Sequence, residues 1–139
     1  MLKKFQDLTL EEHKEILQWR NHPDIRQWMF TKKNISLEEH LDFVHNLDKR
    51  REYYKYGNIG VLNFKISDKN IEVGLHKNPY RQNVGALLMQ QLLQKVSKYD
   101  KKVLLYVYAQ NKKALHLYKK YGFSIIAKDK NIITMELQR

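Results

Sequence analysis

The sequence predicts a mixed α/β fold with a mostly antiparallel sheet. Three observations predict it: four segments carry apolar residues at helical spacing, six others read as strands, and their order is distinctive. That order is helix, helix, three strands, helix, strand, helix, two strands. Strands joined by tight turns pair antiparallel, so an all-parallel sheet does not suit this order. At 139 residues the chain is long enough for a substantial core and reads as one domain.

Thr9-Leu10-Glu11-Glu12 is a capping box and opens a helix through about Trp19. Ser36-Leu37-Glu38-Glu39 is a second, opening a helix through about Leu47, with Leu37, Leu41, Val44 and Leu47 on one face. Between them Pro23 can begin a short helical turn. Glu52–Tyr56 and Ile59–Ile66 flank Gly57-Asn58, a two-residue hairpin signal, and Ile71–His76 follows the turn Ser67–Asn70. Pro79 stops that strand. Gly85–Lys98 is helical, Val103–Tyr108 a strand, Asn111–Tyr121 a helix, and Ser124–Lys128 with Asn131–Leu137 a final hairpin.

Composition excludes several classes. No apolar run approaches the roughly 18 residues of a membrane-spanning helix, and the start, MLKKFQDLTLEEH, has no apolar core of a secretory signal. The absence of cysteine rules out disulfides, thiolate metal sites and a cysteine nucleophile, and fits a cytoplasmic protein. Among the six histidines only His40 and His45 are close, and an offset of five leaves one helical face, so no metal is expected. The net charge of +11 favours a polyanionic partner. A basic nucleic-acid-binding module is one reading. Against it, the lysines do not cluster with stacking aromatics; the densest basic region, Lys77 to Lys130, suits a phosphate-bearing cofactor.

The stretch Tyr106–Phe123 holds the most chemistry. After an aromatic, β-branched strand, Asn111 can cap a helix whose Ala114, Leu117, Tyr118 and Tyr121 share a face, and Gly122 can end it. The pattern Asn-x-x-Ala-x-x-Leu-Tyr-x-x-x-Gly-Phe resembles the C-terminal signature of the GCN5-related N-acetyltransferases. The resemblance implies that family's fold, with about four helices around six to seven strands, the first near Leu2–Asp7. It implies acetyl-CoA as co-substrate, with Asn111 and Tyr118 facing it. A homodimer is compatible with it, and the sequence leaves oligomeric state open.

A second motif runs Leu75-His76-Lys77-Asn78-Pro79-Tyr80-Arg81-Gln82-Asn83-Val84-Gly85-Ala86, where a strand hands over to a helix. Backbone N–H groups at a helix start suit phosphate oxygens. The family pattern Gln/Arg-x-x-Gly-x-Gly/Ala fits in two registers. One takes Tyr80, Asn83 and Gly85; the other takes Arg81, Val84 and Ala86. The first is preferred, because asparagine tolerates positive φ better than valine, with Arg81 or Gln82 supplying the polar side chain.

The front end, Trp19-Arg20-Asn21-His22-Pro23, then Trp28-Met29, then Ile35-Ser36-Leu37-Glu38-Glu39-His40-Leu41-x-Phe43, resembles one subgroup of that family, the PseH-type enzymes. These acetylate the 4-amino group of a UDP-linked 4-amino-4,6-dideoxy sugar on the pseudaminic acid pathway of flagellin glycosylation. The resemblance implies a UDP-sugar site built from Arg20, Asn21, His22 and His40, with Trp28, Met29 and neighbouring aromatics lining it; Asn46–Ile59 is short for the subgroup. A protein N-terminus, polyamine or other small amine is the alternative acceptor. For the chemistry, the resemblance implies a carbonyl-polarising backbone N–H near Leu75–Lys77 and Tyr118 as the acid for the leaving thiolate. The base is open between Glu72, on the strand beside the cofactor, and His76.

Overall fold

Both capping boxes close as their spacing requires. Thr9 Oγ1 accepts the Glu12 N–H at 3.2 Å while the Glu12 carboxylate accepts the Thr9 N–H at 3.0 Å. Ser36 and Glu39 repeat this at 3.1 and 3.0 Å. In the computed structural model, which describes residues 1–139, these boxes open helices α1 (Leu10–Asn21) and α3 (Leu37–His45). A single turn, α2 (Pro23–Arg26), lies between them with proline at its start. The later helices are α4 (Gly85–Val96) and α5 (Lys112–Lys120), giving five where four were expected because the Pro23 turn qualifies. Helix α1 runs past Trp19, so Arg20 and Asn21 belong to its last turn.

Seven strands, β1 (Leu2–Lys4), β2 (Arg51–Tyr56), β3 (Gly60–Ile66), β4 (Asn70–Lys77), β5 (Lys102–Tyr108), β6 (Phe123–Asp129) and β7 (Ile132–Leu137), form one sheet in the order β1-β2-β3-β4-β5-β7-β6. Only β4 and β5 are parallel neighbours. The first strand ends at Lys4, not near Asp7. Phe5 turns inward, 3% exposed, and Phe5–Asp7 coil into a 3-10 turn. The β2–β3 hairpin is complete, its turn closed by the Ile59 N–H on the Tyr56 carbonyl with Gly57 at φ +51°.

Alternation along the strands divides the core in two. One face puts Leu62, Phe64, Ile71, Val73, Val103, Leu105 and Met135 against Met89, Leu92 and Val96 of α4 and Leu115 of α5. The other puts Val61 against Phe5, Ile16, Trp19 and Val44, so α1 and α3 cover it. Trp19, 2% exposed, is core.

Removing either cap, Thr9→Ala or Ser36→Ala, is expected to lower stability by about 1 kcal/mol. Gly60→Ala is expected to cost about 2 kcal/mol or more, because a Cβ there would meet the His76 carbonyl oxygen at 2.5 Å and Lys77 Cα at 2.9 Å. Urea denaturation of the three variants would check the order.

Candidate active site

The parallel pair is short. Strands β4 and β5 are in register only at Asn70/Lys102, Ile71/Val103 and Glu72/Leu104. Beyond Glu72, β4 stays with β3 as far as Gly60/Lys77, while β5 stays with β7 as far as Tyr108/Ile132. A wedge therefore opens between them toward their C-terminal ends, and the β4 backbone groups that face it have no strand partner. Crevices at the carboxyl ends of parallel strands are where open α/β sheets take ligands.

Two helices begin at that mouth. Helix α5 is capped by Asn111, whose Oδ1 accepts the Ala114 N–H at 3.4 Å. Thr9, His22 and Ser36 cap the three front helices in the same way. Helix α4 alone has no side-chain cap, so its first N–H groups are left for another acceptor. Just before it Asn83 has φ +60°, the conformation expected of the register that puts Asn83 in a glycine position. A Cβ on Gly85 would lie 2.9 Å from Leu117 Cδ2, so the middle of α5 packs on the start of α4.

The loop between β4 and α4 is held from below by the β2–β3 turn. Buried Asn78 donates to the Asn58 carbonyl at 2.9 Å, accepts the Tyr80 N–H at 2.9 Å, and donates its own N–H to Ile59. Arg81 donates to Asn58 Oδ1 at 2.9 Å, and Lys77 Nζ to the Arg81 carbonyl at 2.7 Å. Tyr80, Arg81, Gln82 and Asn83 are exposed, Val84 is buried, and Leu75 and Ala86 are half-buried.

Tyr118 is partly buried against the core, 6.1 Å from the Phe123 ring centre, and burial pushes its hydroxyl up to about 12. On the α1–α3 face, Glu72 is exposed beside Tyr106, whose hydroxyl is raised by burial and by the Glu72 carboxylate. His76, on the same face, is pushed down to about 4, first by burial and then by the Arg20 charge, with His40 adding to it. An imidazole so weakly basic accepts a proton poorly near neutrality.

Polar groups gather behind that face. Arg20 donates through Nη2 to the Thr31 carbonyl at 2.5 Å, while its Nη1 and the His76 Nδ1 are buried with no protein partner. His40 Nε2 and His13 Nδ1 lie 3.0 Å apart, both residues buried. Two residues expected at the acceptor site have other work. Asn21 clamps the segment after α2, bonding both the carbonyl and the N–H of Ile35 at 2.8 Å, and His22 accepts the Asp24 N–H to cap α2. Trp28 and Met29 are half-buried in the segment that Asn21 holds. That segment also sets Phe30 5.2 Å from the Tyr108 ring and Lys32 Nζ 4.2 Å from its centroid. The sequence reading gave no role to His13, Phe30 or Tyr108 and did not foresee that Asn58 and Asn78 tie two loops together. Those pairings join segments remote in sequence, so no local signal marked them. A surface hollow of about 410 Å³ lined by Lys4, Leu47, Lys49, Arg51 and Tyr53 contains none of the wedge residues.

A sheet parted between its two parallel strands, with an uncapped helix at the mouth, defines the GCN5-related N-acetyltransferase class. The FR47-like protein family matches residues 72–132, from the point of parting through α5 into β7. Acetyltransferase PseH of Campylobacter jejuni subsp. jejuni serotype O:2 is 40% identical over 143 residues, 94% of this chain and 88% of that protein. The crystal structure of Campylobacter jejuni N-acetyltransferase PseH superposes with a TM-score of 0.83 at 30% identity, covering 100% of this chain and 97% of that one. Its complex with acetyl coenzyme A gives 0.81 at 30% identity, covering 100% and 98%. The chain belongs to the PseH acetyltransferase family.

His40, like His76, is held neutral at about 4, by burial first and then by His13. Unfolded, each ring takes up a proton as pH falls through about 6.5; folded, only near 4. Stability is thus complete above about pH 6.5 and falls as pH drops toward 4, by about 3 kcal/mol for His40. The capping carboxylates Glu12 and Glu39, held at about 2 chiefly by backbone and lysine hydrogen bonds, lose their contribution in a lower window. His40→Phe is expected to flatten the slope between pH 6.5 and 4 by close to one proton, read from urea midpoints across that range.

Proposed function

We propose that this chain transfers the acetyl group of acetyl-CoA to the 4-amino group of a UDP-linked 4-amino-4,6-dideoxy sugar. The carrying observation is the wedge itself, with an uncapped helix at its mouth and the unpartnered Arg20 and His76 atoms on its far face. The pyrophosphate is received by the N–H groups at the start of α4, with Asn83 and Gly85 letting the backbone approach. The pantetheine arm runs into the wedge, where free β4 groups from Leu75 to Lys77 can bond it and polarise the thioester carbonyl. The basic surface around α5 favours a cofactor carrying several phosphates.

The acceptor comes from the other face, where α1 and α3 are packed. Arg20 is suited to the UDP diphosphate: its planar fork already uses one arm on Thr31, and the free Nη1 can bond a phosphate oxygen. Neutral His40 and His76 can donate or accept toward the nucleotide sugar, while Met29, Phe30 and Tyr108 supply apolar and aromatic surface. Glu72, directly or through water, takes the ammonium proton. The amine lone pair then attacks the carbonyl carbon, the carbon–sulfur bond breaks, and Tyr118 donates its proton to the departing sulfur. A hydroxyl kept neutral by burial is always protonated when the sulfur leaves. A cytoplasmic setting, where acetyl-CoA and nucleotide sugars are made, fits this reaction, and no helix is long and apolar enough to cross a membrane.

Tyr118→Phe is expected to lower kcat by 10²-fold or more with acetyl-CoA affinity within twofold, measured by thiol release and calorimetry. Arg20→Gln is expected to raise KM for the UDP-sugar at least tenfold and leave KM for acetyl-CoA unchanged. A panel of UDP-amino sugar, polyamine and peptide acceptors decides the acceptor: preference for polyamine or peptide overturns the sugar. Failure to bind acetyl-CoA overturns the enzyme.

A further inference from the structure

We propose that Asn63 contacts the acceptor amine and orients it for attack, an inference that rests on the acetyl-transfer reading of the wedge. Asn63 lies on β3, opposite Gly74 of β4 in register, and on the face covered by α1 and α3. Gly74 is two residues beyond Glu72, where β4 and β5 stop pairing, so Asn63 stands at the root of the wedge on the acceptor side. Its carboxamide lies down on bare backbone. A Cβ on Gly74 would be 3.1 Å from Oδ1, 3.4 Å from Nδ2 and 3.6 Å from Cγ, so the amide would have to shift by a few tenths of an ångström. The glycine and the amide thus form one feature.

That amide is also idle. Asn21, Asn78 and Asn111 all spend their side chains on backbone partners. The Asn63 side chain, half-buried, makes no hydrogen bond to the protein. A carboxamide can make several, so this one is left for something that enters the wedge. Around it, Glu72 and His76 flank Gly74 at alternate positions on the same face. An amine reaching a thioester in the wedge passes between them.

The chemistry explains an amide here. The attacking nitrogen must be neutral with its lone pair on the carbonyl carbon. Oδ1 can accept one N–H and so fix the direction of the lone pair. A carboxylate in the same place would hold the amine as ammonium, whereas a carboxamide orients it without that penalty. Asn63 exchanges no proton: the ammonium proton goes to the base, the carbon–sulfur bond breaks, and the sulfur takes its proton from Tyr118.

The test is steady-state kinetics of the full chain with the best acceptor from the panel above. Asn63→Leu, matched in size, is expected to lower kcat/KM for the acceptor at least 20-fold, with KM for acetyl-CoA within twofold. Gly74→Ala is expected to lower it at least fivefold by displacing the amide. Added to Asn63→Leu, it should cost less than a further twofold, because the group it displaces is already gone. An acceptor kcat/KM within twofold of the parent in Asn63→Leu overturns the proposal, as does a double variant whose losses multiply. Asn63→Ala, which removes the amide without adding bulk, is read by the same twofold limit should Asn63→Leu fail to fold. Loss of acetyl-CoA binding by the parent chain would instead overturn the acetyl-transfer reading itself. An acceptor other than the sugar would leave Asn63 in place and change only the substrate.

Discussion

The structure turns on three residue pairs. β4 and β5 share only Asn70/Lys102, Ile71/Val103 and Glu72/Leu104, then part. Parting two strands strands backbone donors and acceptors, and a buried one left unsatisfied costs on the order of 1–3 kcal/mol. The sheet bears this because each half keeps its other neighbour, β4 with β3 through Lys77 and β5 with β7 through Tyr108. The stranded groups are therefore confined to two facing edges, where a bound molecule or water can meet them. Everything at the site is arranged about that gap: α4 and α5 start at its mouth, and the two cores close its two sides.

The two faces of the sheet carry different burdens. The face beneath α4 and α5 is apolar, built from Leu62, Phe64, Ile71, Val103, Met135 and their neighbours. It keeps the two sheet halves rigid where they are no longer bonded to each other. The opposite face buries His13, His40 and Lys55 among apolar residues, and partly buries Arg20 and His76. Lys55 is neutralised by Glu15 at 2.9 Å and donates to the Gly57 carbonyl, and the two histidines of the front helices answer each other. Arg20 and His76 are only partly answered within the protein. Polar groups placed in a core without partners lower stability, and their grouping beside the wedge ties that cost to a bound ligand.

Much of this was legible in local sequence. Thr9 with Glu12, Ser36 with Glu39, Asn111 with Ala114 and the positive φ of Gly122 are all settled by residues within a turn of each other. The positive φ at Asn83 was legible for the same reason, since an αL position in a glycine motif favours asparagine over valine. What could not be read is what depends on register between distant segments. Nothing near Asn63 says that Gly74 lies opposite it, and His13 meets His40 only because α1 and α3 cross the same face. The same blindness misjudged Asn21, whose motif pointed outward to a substrate while the fold turns its amide to Ile35. The first strand was placed near Leu2–Asp7 by the family resemblance alone, whereas the chain coils from Phe5 to Asp7 with the Phe5 ring buried.

The Asn21 clamp also explains how one sheet can be fitted to a particular acceptor. The wedge, the uncapped α4 and Tyr118 belong to the second half of the chain, and on the proposed reading they serve acetyl transfer to any amine. The covering of that face comes from the first half, and the segment from His22 to Ile35 adds Trp28, Phe30, Arg26, Lys32 and Lys33 to it. That segment is tied at its base by Asn21 and in its middle by Arg20 on Thr31. Between those ties Phe30 and Lys32 meet Tyr108 near the end of β5, so the segment is registered against the wedge by side chains rather than by strand pairing. Side-chain contacts of this kind are individually worth about 1 kcal/mol and can be exchanged one at a time. The backbone pairing that makes the wedge cannot. On the proposed reading, acceptor choice is thus carried by the part of the molecule that can change without closing or moving the place where the acetyl group is presented.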